Sequence, residues 1–314
     1  MIMELSEVER LEKIGQGKCA DIYRKDKEAY KILKDNSDSR KFYSKEMLQK
    51  LVGIKTELCV FPNDIIEDKD GKLLGYSMDY IKGNKFYDVF KKIPLEKLIQ
   101  ELKVAENDIK EIADKKVIFE DMHFDNIMWN EEKNTIQIID TDFFDKSEGL
   151  SYDEIYSANS RKFAQSITDM LGLKIFEYTQ NNENMKEFYD AWHLKYRNNE
   201  SVSIQEYLIN LNKVMEEDFG SKFNSISEME EALNKRAQEL EDLEYERMQQ
   251  KNKTVKQKVV EKIISIGKKL LNSGAKATEE NTRTSTINEQ VRNIENIQKE
   301  RTKTKNKSND EISK

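Results

Sequence analysis

The stretch Phe119–Asp142, FEDMHFDNIMWNEEKNTIQIIDTD, constrains the fold of this chain more than any other. An acidic tight loop from Asp121 to Asn126 precedes two short apolar segments, Ile127–Asn130 and Thr135–Ile139. The polar run Glu131–Asn134 separates them, which is the layout of a β-hairpin. A hairpin returns the end of its second strand to the start of its first, so Asp121, Asn126 and Asp140 are expected near one point. Two carboxylates and one amide make an oxygen donor set of the kind that holds Mg²⁺ against phosphates. Taken singly, each is as readily a turn former, because Asp and Asn side chains bond their own backbone. The metal reading therefore requires a nucleotide site elsewhere in the chain.

Residues 10–83 supply a candidate. Leu11–Ile14 leads into Gly15-Gln-Gly17, followed by expected strands at Ala20–Arg24 and Glu28–Leu33 around the turn Lys25–Lys27. Glycines at a strand–loop–strand corner let backbone N–H groups approach phosphate oxygens. Lys31 sits inside an otherwise apolar strand; it is either a solvent-facing edge lysine or a functional one. Residues 40–51 carry helical apolar spacing, with Glu46 placed to meet Lys31. Two further strands are expected at Val60–Ile66 and Leu73–Tyr80, and Gly83 closes this part. Beyond it helices are expected at Phe86–Lys92 and, after Pro94, at Leu95–Lys115.

This order of motifs resembles the protein-kinase-like superfamily, closely over residues 10–145 and loosely over 146–245. The resemblance implies an α+β, two-lobed fold and transfer of the ATP γ-phosphate to a hydroxyl with Mg²⁺. It makes Gly15 and Gly17 the loop over the phosphates and Lys31 their contact, oriented by Glu46. Met78, Asp79, Tyr80 and Ile81 become the adenine hinge, Asp121 the catalytic base, and Asn126 and Asp140 the metal ligands. The sequence also departs from ordinary protein kinases. Phe119-Glu120 precede Asp121 in place of His-Arg, Thr141-Asp142 follow Asp140 in place of Phe-Gly, and no Ala-Pro-Glu follows. Asp121-Met-His123-Phe-Asp-Asn126 and Asp140-Thr-Asp142 are similar to aminoglycoside- and choline-kinase-type phosphotransferases. The helical extensions suit a protein partner, so the acceptor is expected to be a protein Ser/Thr; the His123 and Asp142 patterns support a small-molecule hydroxyl as the alternative, and a non-enzymatic binding module is a third reading.

The second half reads as helices at Ala158–Leu171, ending at Gly172, and at Met185–Tyr196, whose aromatic stripe is expected to be core. Ser203/Glu206 and Ser227/Glu230 read as capping boxes for helices 204–218 and 228–248, with Gly220 as a C-cap between them. Residues 1–83, 84–248, 249–276 and 277–314 are thus expected as a β lobe, a helical lobe, a basic amphipathic helix and a disordered tail. Residues 251–276 hold eight lysines against one glutamate, with Val259, Ile263, Ile266 and Leu270 on one face. Such a helix suits an anionic membrane surface or a protein partner, or packs back on the helical lobe.

Composition sets outer bounds. Charged residues are 36 % of the chain and hydrophobic residues 37 %, so part of it is expected to lack a core. A net charge of −7 argues against general nucleic-acid binding. Cys19 and Cys59 make no disulfide framework or metal cluster, which implies a reducing, cytoplasmic setting with peripheral attachment to the inner membrane surface as an option. The charged N-terminus is no signal peptide, and no apolar run approaches the ~18 residues of a membrane span.

Overall fold

The computed structural model describes residue 2 and residues 5–8, 10–35 and 43–272. Strands β1 (Glu12–Gln16), β2 (Ala20–Lys25), β3 (Glu28–Leu33), β4 (Asp64–Glu67) and β5 (Leu73–Asp79) form an antiparallel sheet in the order β1-β2-β3-β5-β4. Its register places Gly15 opposite Ile22, Ile22 opposite Lys31, Lys31 opposite Tyr76 and Tyr76 opposite Ile65. Directly opposed residues share a face, so one row across the sheet carries Gly15, Ile22, Lys31, Tyr76 and Ile65. At the centre of that row the backbones come close. A Cβ on Gly75 would lie 2.0 Å from the Lys31 carbonyl oxygen, so only glycine fits there.

Both faces of the sheet are covered. Val8, Tyr30, Ile32 and Ile66 pack on one. On the other, Leu48 from helix α1 (Lys45–Leu51) packs with Ile65 and Tyr76. The expected strand Val60–Ile66 is corrected by the structure. Only Asp64–Glu67 joins the sheet, because Pro62 has no N–H to donate to a ladder. The residues before Pro62 turn away and pair elsewhere: Val60 N donates to Ile138 O and Ile138 N to Leu58 O.

After strand β6 (Gly83–Lys85), a helical turn Phe86–Val89 and a 3₁₀ turn Phe90–Lys92 replace the single helix expected there. Helix α2 (Leu95–Asp114) follows, then short β7 (Val117–Ile118) and the hairpin of β8 (Ile127–Asn130) and β9 (Thr135–Ile138), with β6 on its edge. Strand β10 (Asp145–Lys146) pairs with β7. Helices α3 (Tyr152–Thr168), α4 (Leu173–Asn181), α5 (Glu183–Arg197), α6 (Ile204–Phe219) and α7 (Ile226–Asn272) complete the order. A single apolar core runs through these elements, with Leu98, Leu102, Ile109 and Ile112 of α2 meeting Phe119, Ile138, Phe144 and Phe163. Burying such a side chain stabilises by about 1.5–3 kcal/mol.

Several helix boundaries differ from expectation for local reasons. Helix α3 begins at residue 152, earlier than the expected 158, because Ser151 and Glu154 close a reciprocal capping box. Helix α4 is a short apolar-faced segment beyond Gly172 and was not expected. Ser203 accepts from Glu206 N at 3.0 Å, but Glu106 of α2 completes the cap, accepting from Ser203 Oγ and Gln205 N. Burial pushes the Glu106 carboxyl up despite those bonds. The box expected at Ser227/Glu230 does not form: Ser225 Oγ accepts from Glu228 N at 3.2 Å, Glu228 Oε2 accepts from Asn224 N at 2.7 Å, and Glu230 pairs with Lys91 at 2.7 Å. Gly220 is left-handed and caps α6 as expected. Trp192 is buried and its indole donates to Ser203 O, in line with the core reading of the aromatic stripe.

Residues 1–238 form one compact unit, and the described residues from 239 on belong to a second. The segments expected as helices 228–248 and 249–276 are one continuous helix, α7, as far as Asn272, the last described residue, and every side chain from 238 to 266 is exposed. Residues 40–42 of the helix expected at 40–51, and the tail 277–314, lie outside the described residues. Among the described residues no helix is long and apolar enough to cross a membrane.

Candidate active site

Strand β3 carries Lys31 into the protein, where only 6 % of the residue is exposed. Its ammonium donates to Asp142 Oδ2 at 2.8 Å and to Asp140 Oδ1. Tyr43 and Tyr76 close the space around it, their ring centres 5.5 and 5.8 Å from Nζ. Burial alone would favour the neutral amine, but the oxygens of Tyr76, Asp142, Asp140 and Tyr43 outweigh it and hold the ammonium well above the ordinary lysine range. Asp142 is fully buried. Burial pushes its carboxyl up, Lys31 pulls it down and Asp140 pushes it up again, with a net rise. One ammonium shared by two carboxylates keeps its own charge while only partly compensating the deeper acid. Burial also raises both tyrosines, and Asp142 adds to the effect, so each phenol stays protonated. Among the described residues nothing bonds Asp142 Oδ1 or Tyr76 Oη, although both are buried.

The expected pairing of Lys31 with Glu46 does not form. Glu46 is exposed on α1. Leu48 and Leu51 turn that helix's apolar side to the protein, and at about 100° per residue a position two before Leu48 points away from it. Asp142 stands in the place expected for Glu46.

The hairpin delivers the acidic loop as expected. Ile127 lies opposite Ile138, and Ile139 N donates to Asn126 O at 2.8 Å, setting Asp140 beside Asn126. Asn126 is buried, and its Nδ2 donates to the Asp121 carbonyl at 3.0 Å, turning Oδ1 the other way. The Asp121 and His123 side chains are exposed. Asp140 occupies the left-handed region at φ 62°, ψ 39°, a conformation Asp tolerates better than most residues and which costs about 1 kcal/mol or more. Thr141 holds this turn by donating from Oγ1 to Val60 O at 2.7 Å, a buried bond.

Two supports of the loop were not apparent from the sequence. Asn159, fully buried on α3, accepts from Phe119 N at 2.8 Å and donates to Val117 O at 2.9 Å. Lys162, one turn on, donates to Glu120 O at 3.0 Å and to Phe119 O. The one available signal was a run of small polar residues, Asn159 and Ser160, on the apolar side of an otherwise amphipathic helix. Glu120 itself is exposed.

The glycine loop and the hinge segment use their backbone groups internally. Gly17 N donates to Ala20 O at 2.8 Å, and Lys34 reaches Gly17 O at 2.6 Å. The Gly17 N–H expected to face phosphate is thus committed to a tight turn. Gly15 remains on the Lys31 face and leaves it low at that end. Tyr80 N donates to Lys27 O at 2.9 Å, and Arg24 lies 4.1 Å over the Tyr80 ring. Met78 lies half-buried in the apolar cluster beside Tyr76, Asp79 accepts from Asn63 Nδ2 at 2.8 Å, and Ile81 is half-buried.

Among the described residues no group of three or more His, Cys, Asp or Glu is placed to hold a metal. The hairpin sets Asn126 and Asp140 next to each other through the bond from Ile139 N to Asn126 O. Mg²⁺ in phosphoryl transfer is held by one or two carboxylates plus phosphates and water, so this sparse set fits a metal that arrives with a nucleotide. No protein-family model matches the chain, and no curated protein matches it.

Proposed function

We propose that this protein has a two-lobed kinase-like fold and transfers the γ-phosphate of ATP to a hydroxyl. The observation that carries the reading is the link between two distant parts of the chain. Lys31 of the sheet meets Asp140, Asp140 follows the residue bonded to Asn126, and Asn126 is bonded to Asp121. A lysine, an amide and two aspartates from distant parts of the chain are linked in this way, with the Asp121 side chain exposed. Phosphoryl transfer asks mainly for positioning and charge compensation, which such a group supplies.

In this reading the Asn126 Oδ1 and Asp140 carboxylate would hold Mg²⁺, which supplies charge neutralisation on the phosphates. Asp121 orients the acceptor hydroxyl and accepts its proton. Lys31 binds the phosphates, and Asp142 is the positioning residue that keeps its ammonium charged and aimed, the role expected of Glu46. Gly15, on the same face as Lys31, leaves room for the nucleotide, and residues 78–81 border the adenine. A protein Ser/Thr is the favoured acceptor, since the polar stretch of α7 from 238 to 254 is exposed along its length and suits a protein partner. The buried Asp142 of the Asp-Thr-Asp run favours a small-molecule hydroxyl as the second reading.

The test is incubation of the full-length protein with Mg²⁺ and γ-labelled ATP, following label on protein and release of phosphate, beside Asp121→Ala. Transfer that drops at least about a hundredfold in Asp121→Ala, with ATP still raising the melting temperature, supports the assignment. A wild-type protein that neither transfers phosphate nor gains stability from Mg-ATP overturns it and leaves a binding module.

A further inference from the structure

Helix α7 presents aliphatic side chains to water between residues 255 and 266. Val255, Val259, Val260, Ile263, Ile264 and Ile266 are between 42 % and 59 % exposed. At about 100° per residue these six fall within roughly half the helix circumference, and Gln257, Glu261, Ser265, Lys258 and Lys262 fill the other half. Lys256 lies inside the apolar arc, where a long stem can run along the surface and lift its ammonium out. Between residues 251 and 266 there are five lysines and one glutamate.

We propose that this face of α7 binds an anionic lipid surface, lying in the plane of the headgroups. Charge decides among the occupants. Two copies of the helix packed apolar face to apolar face would trap Lys256 and its counterpart within the seam, and a coiled-coil seam is a narrower stripe than half the circumference. A protein groove is disfavoured because the stripe holds only Val and Ile, without the aromatic anchors that dominate such interfaces. An anionic bilayer accepts both halves, the aliphatic arc at the acyl boundary and the lysines among phosphates. Twelve residues of helix cover only about 18 Å, too short to span. The absence of a membrane-crossing helix among the described residues agrees with a surface role.

The experiment is flotation of the full-length protein with phosphatidylcholine vesicles, with and without phosphatidylglycerol, at low and high salt. No nucleotide is present, so its outcome is independent of the phosphotransfer reading. The expected result is flotation only with anionic vesicles, weakening with salt. Ile263→Asp lowers the partition by about tenfold or more, and Lys258→Gln and Lys262→Gln each lower it by about fivefold. The helical circular-dichroism signal serves as control for all three. Three results overturn the proposal: no flotation with anionic vesicles, binding unchanged by Ile263→Asp, or a dimer that Ile263→Asp dissociates in the absence of any lipid binding.

Discussion

Around Lys31 the chain buries charge, whereas along residues 239–266 it leaves aliphatic side chains in water. The first region removes an ammonium and a carboxylate from solvent, which costs several kcal/mol per ion before their mutual attraction offsets it. The second forgoes the stabilisation that burying Val and Ile would bring. Neither arrangement is what a chain adopts for stability alone. The contrast separates two kinds of surface: one preorganised inside the fold, where partners are already in place, and one left open.

The sharpest way to break the contrast is to remove the buried cation. Lys31→Met leaves Asp142 buried without a counter-charge and is expected to destabilise by roughly 3–5 kcal/mol in urea unfolding. Asp142→Asn added to it should recover much of that loss, and a double variant as unstable as Lys31→Met would refute the pair as the cause. The same gap should vary with pH. The folded-state pKa of Lys31 is raised, so its stabilising contribution is complete below about 10.5, the ordinary lysine value. Above that value the unfolded lysine loses its proton while the folded one keeps it, and the advantage over Lys31→Met should fall. A gap that stays constant to pH 12 would contradict this.

A smaller effect is expected one layer out. Asn159→Ala strips partners from Phe119 N and Val117 O, both in buried backbone, and should cost roughly 2–4 kcal/mol. If the loop is braced as described, phosphate transfer should fall further than stability alone explains at a temperature where the variant is fully folded. Smallest of all, Val259→Gln and Ile263→Gln should change unfolding stability by no more than about 0.5 kcal/mol. A loss of 2 kcal/mol or more would mean those side chains are buried in solution, and the contrast would collapse.

Part of the geometry of the candidate site was legible in the sequence because it is local. Asp121, Asn126 and Asp140 are brought together by one hairpin, whose strands and turn follow from apolar and polar runs a few residues long. The amphipathic stripe of α7 is equally local, since it depends only on helical periodicity. Legibility failed where partners are far apart. Asp142 is 111 positions from Lys31 and Asn159 forty from Phe119, and no spacing rule connects such pairs. The glycine loop also misled, because a free N–H and one closing a turn are written with the same residues.

The sequence by itself determined strands β2, β3 and β5, the long helix α2, the hairpin that gathers the acidic loop, and the opposed faces of α7, all from contacts within one or two turns; it did not reveal β6, β7, β10 or α4. Only the tertiary structure decided which acid meets Lys31. Glu46 and Asp142 carry the same charge, and either could have served. Packing of Leu48 and Leu51 rotates Glu46 out to solvent, while the bond from Thr141 to Val60 holds the turn that carries Asp142 into the core. Ion pairing follows position, and position here is set by apolar packing and one buried hydroxyl.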